Sequence, residues 1–248
     1  ILDINDLNGI TWEKVEIVEL NEETVISVVG KQYNNLTTKV KEVLKVPNNL
    51  YIWQQLDSKK ETFDFSSTGK LISEWWQQLC QKCKSFNLSD TELNSIKMEI
   101  VNWLENNGKV FFPKKAFNIS SQYLDYLVSN SFLICQGEKY SFAHQSILDY
   151  FIAEELLKRY WNEENIQKII GKKENQTPRK RYQIQMFLEY LLEYNTEDFI
   201  NVGQELFESK QIRFFLKHVF IEVLSQIDKI DKNIETFILE KCDDKFYE

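Results

Sequence analysis

Apolar residues in this chain recur mostly three and four positions apart, the spacing that lays a stripe along one face of a helix. Val25, Val28 and Val29 follow Asn21-Glu22-Glu23, a polar start that suits a helix opening. Leu36, Val40, Val43 and Leu44 continue the pattern up to Val46. Pro47 stops it there, because the residue before a proline is pushed out of the α region. An apolar helix restarts over 48–53, a polar link covers 57–68, and a helix over 71–84 offers Trp75, Trp76 and Leu79 for packing. Ser89-Asp-Thr-Glu92 has the form of a capping box ahead of Leu93, Ile96, Ile100, Trp103 and Leu104. Gly108 then suits the left-handed stop of that helix.

Strand-like patterning is confined to two places. Residues 12–20 interleave Val15, Ile17 and Leu20 with charges, as a half-exposed strand does. Residues 133–136 and 140–142 flank Gly137 as a small hairpin. Before the hairpin lie a short apolar link, Val110-Phe-Phe112, and a helix from Ser120 carrying Leu124, Leu127 and Val128. Helix, turn, helix and two-stranded wing is the winged-helix order. A helix beginning at His144 follows, with Leu148, Phe151, Ile152 and Leu156 on its apolar side. From Trp161 onward only helices are predicted, over 182–194, 196–207, 212–227 and 233–242. Their short joins fit either a HEAT-like solenoid of helix pairs or a bundle. The expected fold class is mainly α, with a small β-hairpin wing.

Composition supports that reading. Only 7 glycines and 3 prolines occur in 248 residues, too few for the frequent turns of sandwiches and barrels. The four cysteines are too few and too irregular for a disulfide framework. Cys80-Gln-Lys-Cys83 has the spacing of half a zinc site, but it falls in a helical run with no second pair to close a tetrahedron. No apolar run approaches the roughly 18 residues of a membrane span, and no signal peptide opens the sequence, so a cytosolic protein is the default expectation.

The formal net charge of −8 disfavours a phosphate backbone as partner unless a local basic patch exists. Gly171-Lys-Lys-Glu-Asn-Gln-Thr-Pro178-Arg179-Lys180-Arg181 is the one candidate, and it reads first as a solvated loop between helices. The second helix of the winged-helix pattern, over 120–130, contains no Lys or Arg and one Asp, which disfavours a major-groove role.

Catalytic motifs are missing from the sequence. There is no Gly-x-x-x-x-Gly-Lys-Ser/Thr, no Gly-x-Ser-x-Gly and no His-Glu-x-x-His. His144 and His218 are the only histidines, and no carboxylate pair stands out as acid and base. His218 reads as structural, on a helix flank. No enzymatic role is expected of the chain.

One motif carries a family resemblance. Tyr140-Ser-Phe142-Ala-His144-Gln-Ser146-Ile-Leu-Asp149-Tyr150-Phe151-Ile-Ala153 resembles the end of the winged-helix domain in NACHT-type STAND NTPases. These are nucleotide-switched signalling proteins that include NOD-like receptors and bacterial antiviral relatives. It departs from the family pattern at Ile147, where an aromatic residue is common, and at Asp149, in place of Glu. Upstream, Trp12-Glu-Lys-Val-Glu-Ile-Val-Glu-Leu20 resembles the last strand of the NTPase domain, and Leu44-Lys-Val-Pro47-Asn-Asn-Leu50 resembles the lid motif whose proline packs on adenine. The resemblance covers residues 10–158.

That resemblance implies four parts: a remnant of the NTPase edge over 1–20, a helical lid over 21–86, a winged helix over 87–158 and a helical sensor region over 159–248. It implies that His144 hydrogen-bonds the β-phosphate of ADP, and that Pro47 packs on the adenine. It places the phosphate-binding loop and the magnesium-binding acidic strand before Trp12. The expectation is therefore the regulatory C-terminal part of a longer P-loop ATPase. Its ligands would be ADP and ATP, with magnesium in the parent. Its partners would be the upstream NTPase domain, a ligand of the sensor region and further copies on activation. Two alternatives stay open at this point. One is a winged-helix regulator that binds nucleic acid through the basic segment. The other is a helical scaffold in which His144 and Pro47 belong to the core.

Overall fold

The computed structural model describes residues 19–56, 65, 67–225, 227, 230 and 232–242. The strand expected over 12–20 lies outside these except for its last two residues, and so does most of the polar link over 57–68. Among the described residues the chain is mainly α, with twelve α-helices and one small antiparallel sheet. It divides into two compact units, Ile1–Trp75 and Trp76–Glu248.

In the first unit α1 (Glu22–Val29), α2 (Thr38–Leu44) and α3 (Pro47–Gln55) form in sequence, and α4 (Thr68–Cys83) begins. Side-chain caps start two of them. Asn21 Oδ1 accepts the Thr24 amide at 2.8 Å, and Thr37 Oγ1 accepts the Val40 amide at 3.3 Å. Val46 is extended and Pro47 takes the first position of α3, where a missing N–H costs nothing. The apolar faces close over Val25, Val40, Leu44, Ile52 and Trp53. Asn49 is buried with them, its amide donating to the Val43 carbonyl at 2.8 Å and to Thr68 Oγ1 at 2.9 Å.

After the end of α4, the second unit continues with α5 (Asp90–Asn106), β1 (Phe112–Pro113), α6 (Ser121–Ser129), β2 (Leu133–Gln136) and β3 (Lys139–Phe142). The sheet order is β1-β3-β2, so the wing has three strands where the sequence suggested two. Phe112 stands opposite Tyr140 and stacks on it with ring centroids 5.6 Å apart. A strand of two residues ending in proline is too short to show any alternation, which is why it reads as a link. Gly137 has φ +64° and Glu138 does not have positive φ, the pattern of a type II′ turn joining β2 and β3.

The capping box at α5 is only half made. Ser89 Oγ accepts the Glu92 amide at 3.3 Å as expected, but the Ser89 amide donates to the Tyr123 hydroxyl at 3.0 Å. That hydroxyl in turn donates to Glu92 at 2.7 Å. A tyrosine from α6 has been inserted into the reciprocal arm, tying the two helices together. Trp76, Phe132, Phe142 and Phe151 fill the space beneath the wing, with Trp76 and Phe132 centroids 4.8 Å apart.

α7 (Gln145–Trp161), α8 (Ile166–Ile170), α9 (Pro178–Tyr194), α10 (Thr196–Glu208), α11 (Phe214–Leu224) and α12 (Lys232–Cys242) complete the unit. α9 is central, packing on α7, α10 and α11. It begins four residues before the position expected from periodicity. Arg179, Lys180 and Arg181 therefore occupy its first turn rather than a loop. Gly203 on α10 lets the Phe220 ring of α11 approach so closely that a Cβ there would lie 2.4 Å from it. Phe220 also stacks on Phe199 with centroids 4.5 Å apart.

Candidate functional site

His144 does not lie in the core, where the scaffold alternative would put it. It is exposed, and it is the N-cap of α7, a 17-residue helix. The Ala143 amide bonds the Phe132 carbonyl at 3.0 Å, so the backbone leaves the sheet edge at a defined point. His144 then takes an extended conformation, φ −143° and ψ 147°, and its Nδ1 accepts the Ser146 amide at 3.2 Å. Ser146 Oγ lies 3.0 Å from the same nitrogen. This is the bond a Ser or Asp cap makes, supplied here by an imidazole.

The cap dictates the tautomer. An Nδ1 that accepts from a backbone N–H carries a lone pair, so the proton of the neutral ring sits on Nε2. Partial burial holds the His144 pKa below the ordinary imidazole value, and the nearby Asp149 carboxylate opposes that only in part. At neutral pH the ring is therefore neutral, with Nε2–H as a donor. Among the described residues Nε2 has no protein partner. The amino end of α7 adds the positive end of its dipole beside that donor.

One turn along, Asp149 is 3% exposed. Its Oδ1 accepts from Gln145 Nε2 at 3.0 Å and from Gln183 Nε2 of α9 at 3.2 Å, and Arg179 Nε lies 3.9 Å away. Burial pushes its carboxyl pKa up, against the downward pull of those partners and of His144. The departure from Glu noted in the sequence thus falls on a residue that fastens α7 to α9.

Pro47 lies in the other unit, exposed at the first position of α3. The Asn49 side chain two residues on is buried, and its Oδ1 lacks a hydrogen-bond partner among the described residues.

The remaining candidates serve packing or pairing. Cys83 is buried and donates to the Leu88 carbonyl, and burial raises the Cys80 thiol to about 11. No group of three or more metal-ligating side chains occurs among the described residues. His218 is exposed on α11, with Nε2 3.8 Å from Glu222. The outward face of α6 presents Ser121, Gln122, Asp125 and Ser129, and no base. In the basic segment Arg181 pairs with Glu222, and Lys180 pairs with Glu105 at 3.1 Å. None of these long-range partners is visible in the local pattern.

No helix among the described residues is long and apolar enough to cross a membrane. A family model described as "Protein of unknown function (DUF3896)" matches residues 59–105, which include α4 and most of α5, and assigns no activity. No curated protein matches the chain.

Proposed function

We propose that this chain is the regulatory part of a nucleotide-switched P-loop ATPase of the NACHT type. In this reading His144 donates its Nε2–H to the β-phosphate of ADP and holds the parent in its inactive state. The observation that supports it is the fixed imidazole: Nδ1 is engaged by Ser146, and Nε2, on an exposed residue at the amino end of a long helix, has no protein partner among the described residues. A phosphate oxygen accepts from such a donor and gains from the helix dipole at the same place. Pro47, exposed at the start of α3, would offer its ring to the adenine. ADP or ATP would be the ligand, with magnesium and the catalytic groups belonging to the parent's NTPase domain rather than to this chain. The helices from α8 onward would form the sensor region, and release of ADP would lead to oligomerisation in the cytosol.

A contact made only in the ADP-bound arrangement provides the differential affinity that a population switch needs. The test is ADP retention by the full-length parent carrying His144→Asn, which preserves a capping acceptor and removes Nε2–H. Faster ADP loss and raised basal activity are expected. Unchanged retention and unchanged basal activity would overturn the role assigned to His144.

A further inference from the structure

A second polar crevice does not include His144 in its wall. It is walled by the carboxyl end of α5, Arg159 of α7, the end of α8 and the start of α9, and encloses about 630 Å³. That volume suits a small metabolite. Four cations, Arg159, Lys168, Arg179 and Lys180, face two carboxylates, Glu105 and Glu174.

The cations are unevenly satisfied. Lys180 is held by Glu105 at 3.1 Å and Arg159 by Glu164 at 2.9 Å. Lys168 is exposed, and its ammonium has neither an ion pair nor a hydrogen bond among the described residues. Arg179 is the more telling case. Among the described residues its Nε and Nη2 are buried with no hydrogen-bond acceptor, and its Nη1 reaches only the Lys109 carbonyl, at 3.4 Å. Its carboxylate neighbour, Asp149, stands off at 3.9 Å. The guanidinium thus keeps one loose ion pair, to Asp149, and two buried donors without an acceptor among the described residues, and an incoming acceptor that a small rotation of the group reaches relieves those donors.

The helix adds to the same field. The first turn of α9 carries three cations and no acidic residue, and its N-cap, Thr177, makes no side-chain bond to it. Positive side chains at the positive end of a helix dipole repel it, and an anion seated there reverses the sign of that interaction.

We propose that this crevice binds a small phosphorylated molecule, its phosphate held between Lys168 and Arg179 at the start of α9. A phosphate matches several converging N–H donors, and Arg pairs with it through two parallel bonds. The concave shape and the flanking Glu105 and Glu174 disfavour a nucleic-acid backbone. The site is independent of the reading given to His144.

The test is a titration of the isotope-labelled chain with glycerol 3-phosphate and with inorganic phosphate, following the assigned amides of Gly108 and Gly171, which both line the crevice. Saturable shifts at both glycines are expected with glycerol 3-phosphate, and inorganic phosphate should compete for them. Lys168→Glu, an exposed change, should weaken binding about tenfold or more, equivalent to about 1.4 kcal/mol. Lys172→Glu, on a residue outside the crevice wall, should not. His144→Asn, which keeps the cap of α7 and removes Nε2–H, should leave these shifts intact, and their loss in that variant would move the ligand to His144 and overturn the proposal. So would the absence of saturable shifts with both probes, or affinity unchanged by Lys168→Glu. Displacement by duplex DNA with a steep negative salt slope would replace the small ligand with a nucleic acid and equally refute it.

Discussion

His144 Nδ1 lies 3.2 Å from the Ser146 amide nitrogen, so one exposed imidazole caps a helix while its opposite nitrogen has no protein partner among the described residues. These two roles separate by substitution. His144→Asn retains a capping acceptor, and His144→Ala removes it. The alanine variant should lose about 1 kcal/mol of unfolding free energy, and the asparagine variant markedly less. Urea denaturation of both variants measures this. Equal losses would show that the bond to Ser146 contributes no stability.

The same residue predicts a pH dependence. The folded-state pKa of His144 is lowered, so the unfolded chain binds the proton more readily than the folded chain. Stability from this group therefore rises with pH between the lowered folded value and the ordinary value of 6.5, and is lost on acidification through that window. Protonating Nδ1 also breaks the cap. Denaturation midpoints taken from neutral to mildly acidic pH should fall in the native chain, and the fall should be smaller in His144→Asn. An identical pH slope in the two would exclude His144 as its source.

Asp149 works in the opposite direction. Its folded pKa is raised by burial, so its ionisation opposes folding as pH climbs from the ordinary carboxylate value of 3.8 through the raised one. Asp149→Asn can keep the bonds from Gln145 and Gln183 while removing that titration. The expected outcome is a flatter stability profile above pH 4, read from the same denaturation series.

Lys97 is 5% exposed, with Nζ 4.2 Å from the Phe151 ring centroid, 5.0 Å from that of Trp76 and 3.4 Å from Glu154. Burial lowers its pKa despite the carboxylate. Replacing such a cation by an apolar chain of similar volume is commonly neutral or better, while removing only its partner strands the charge. Lys97→Met should leave stability within about 1 kcal/mol of the native chain or raise it. Glu154→Ala should cost about 1 to 3 kcal/mol. Thermal unfolding of the pair decides, and the reverse order would refute the argument.

Gly203→Ala should destabilise the packing of α10 on α11. The added Cβ meets the Phe220 ring at 2.4 Å, and that ring is fixed by its stack on Phe199. Overpacking of this kind costs about 1 to 3 kcal/mol, which chemical denaturation resolves. An unchanged midpoint would mean that the ring can move freely.

The helices and the hairpin were legible because their determinants are local. A 3.6-residue stripe, a Ser at an N-cap, a proline at a first turn and a glycine between two short apolar runs each act within a few positions of themselves. His144 was legible as a singular residue for the same reason, since the motif around it is contiguous. Its exposure was not, because burial depends on what the rest of the fold brings against it.

What only the tertiary structure decided involves partners far apart in the chain. Phe112 becomes a strand because Tyr140 pairs with it, and Tyr123 replaces Glu92 at the Ser89 amide because α6 lies against α5. Asp149 is buried because Gln183 and Arg179 arrive from α9, 34 residues away at Gln183. The basic segment starts a helix because Pro178 suits its first turn, and the packing of α9 on α7 turns Arg179 toward the crevice. Local pattern specifies elements, since backbone hydrogen bonding and side-chain periodicity are short-ranged. Burial, pairing and cavities belong to the packed arrangement, since each needs atoms from several elements at once.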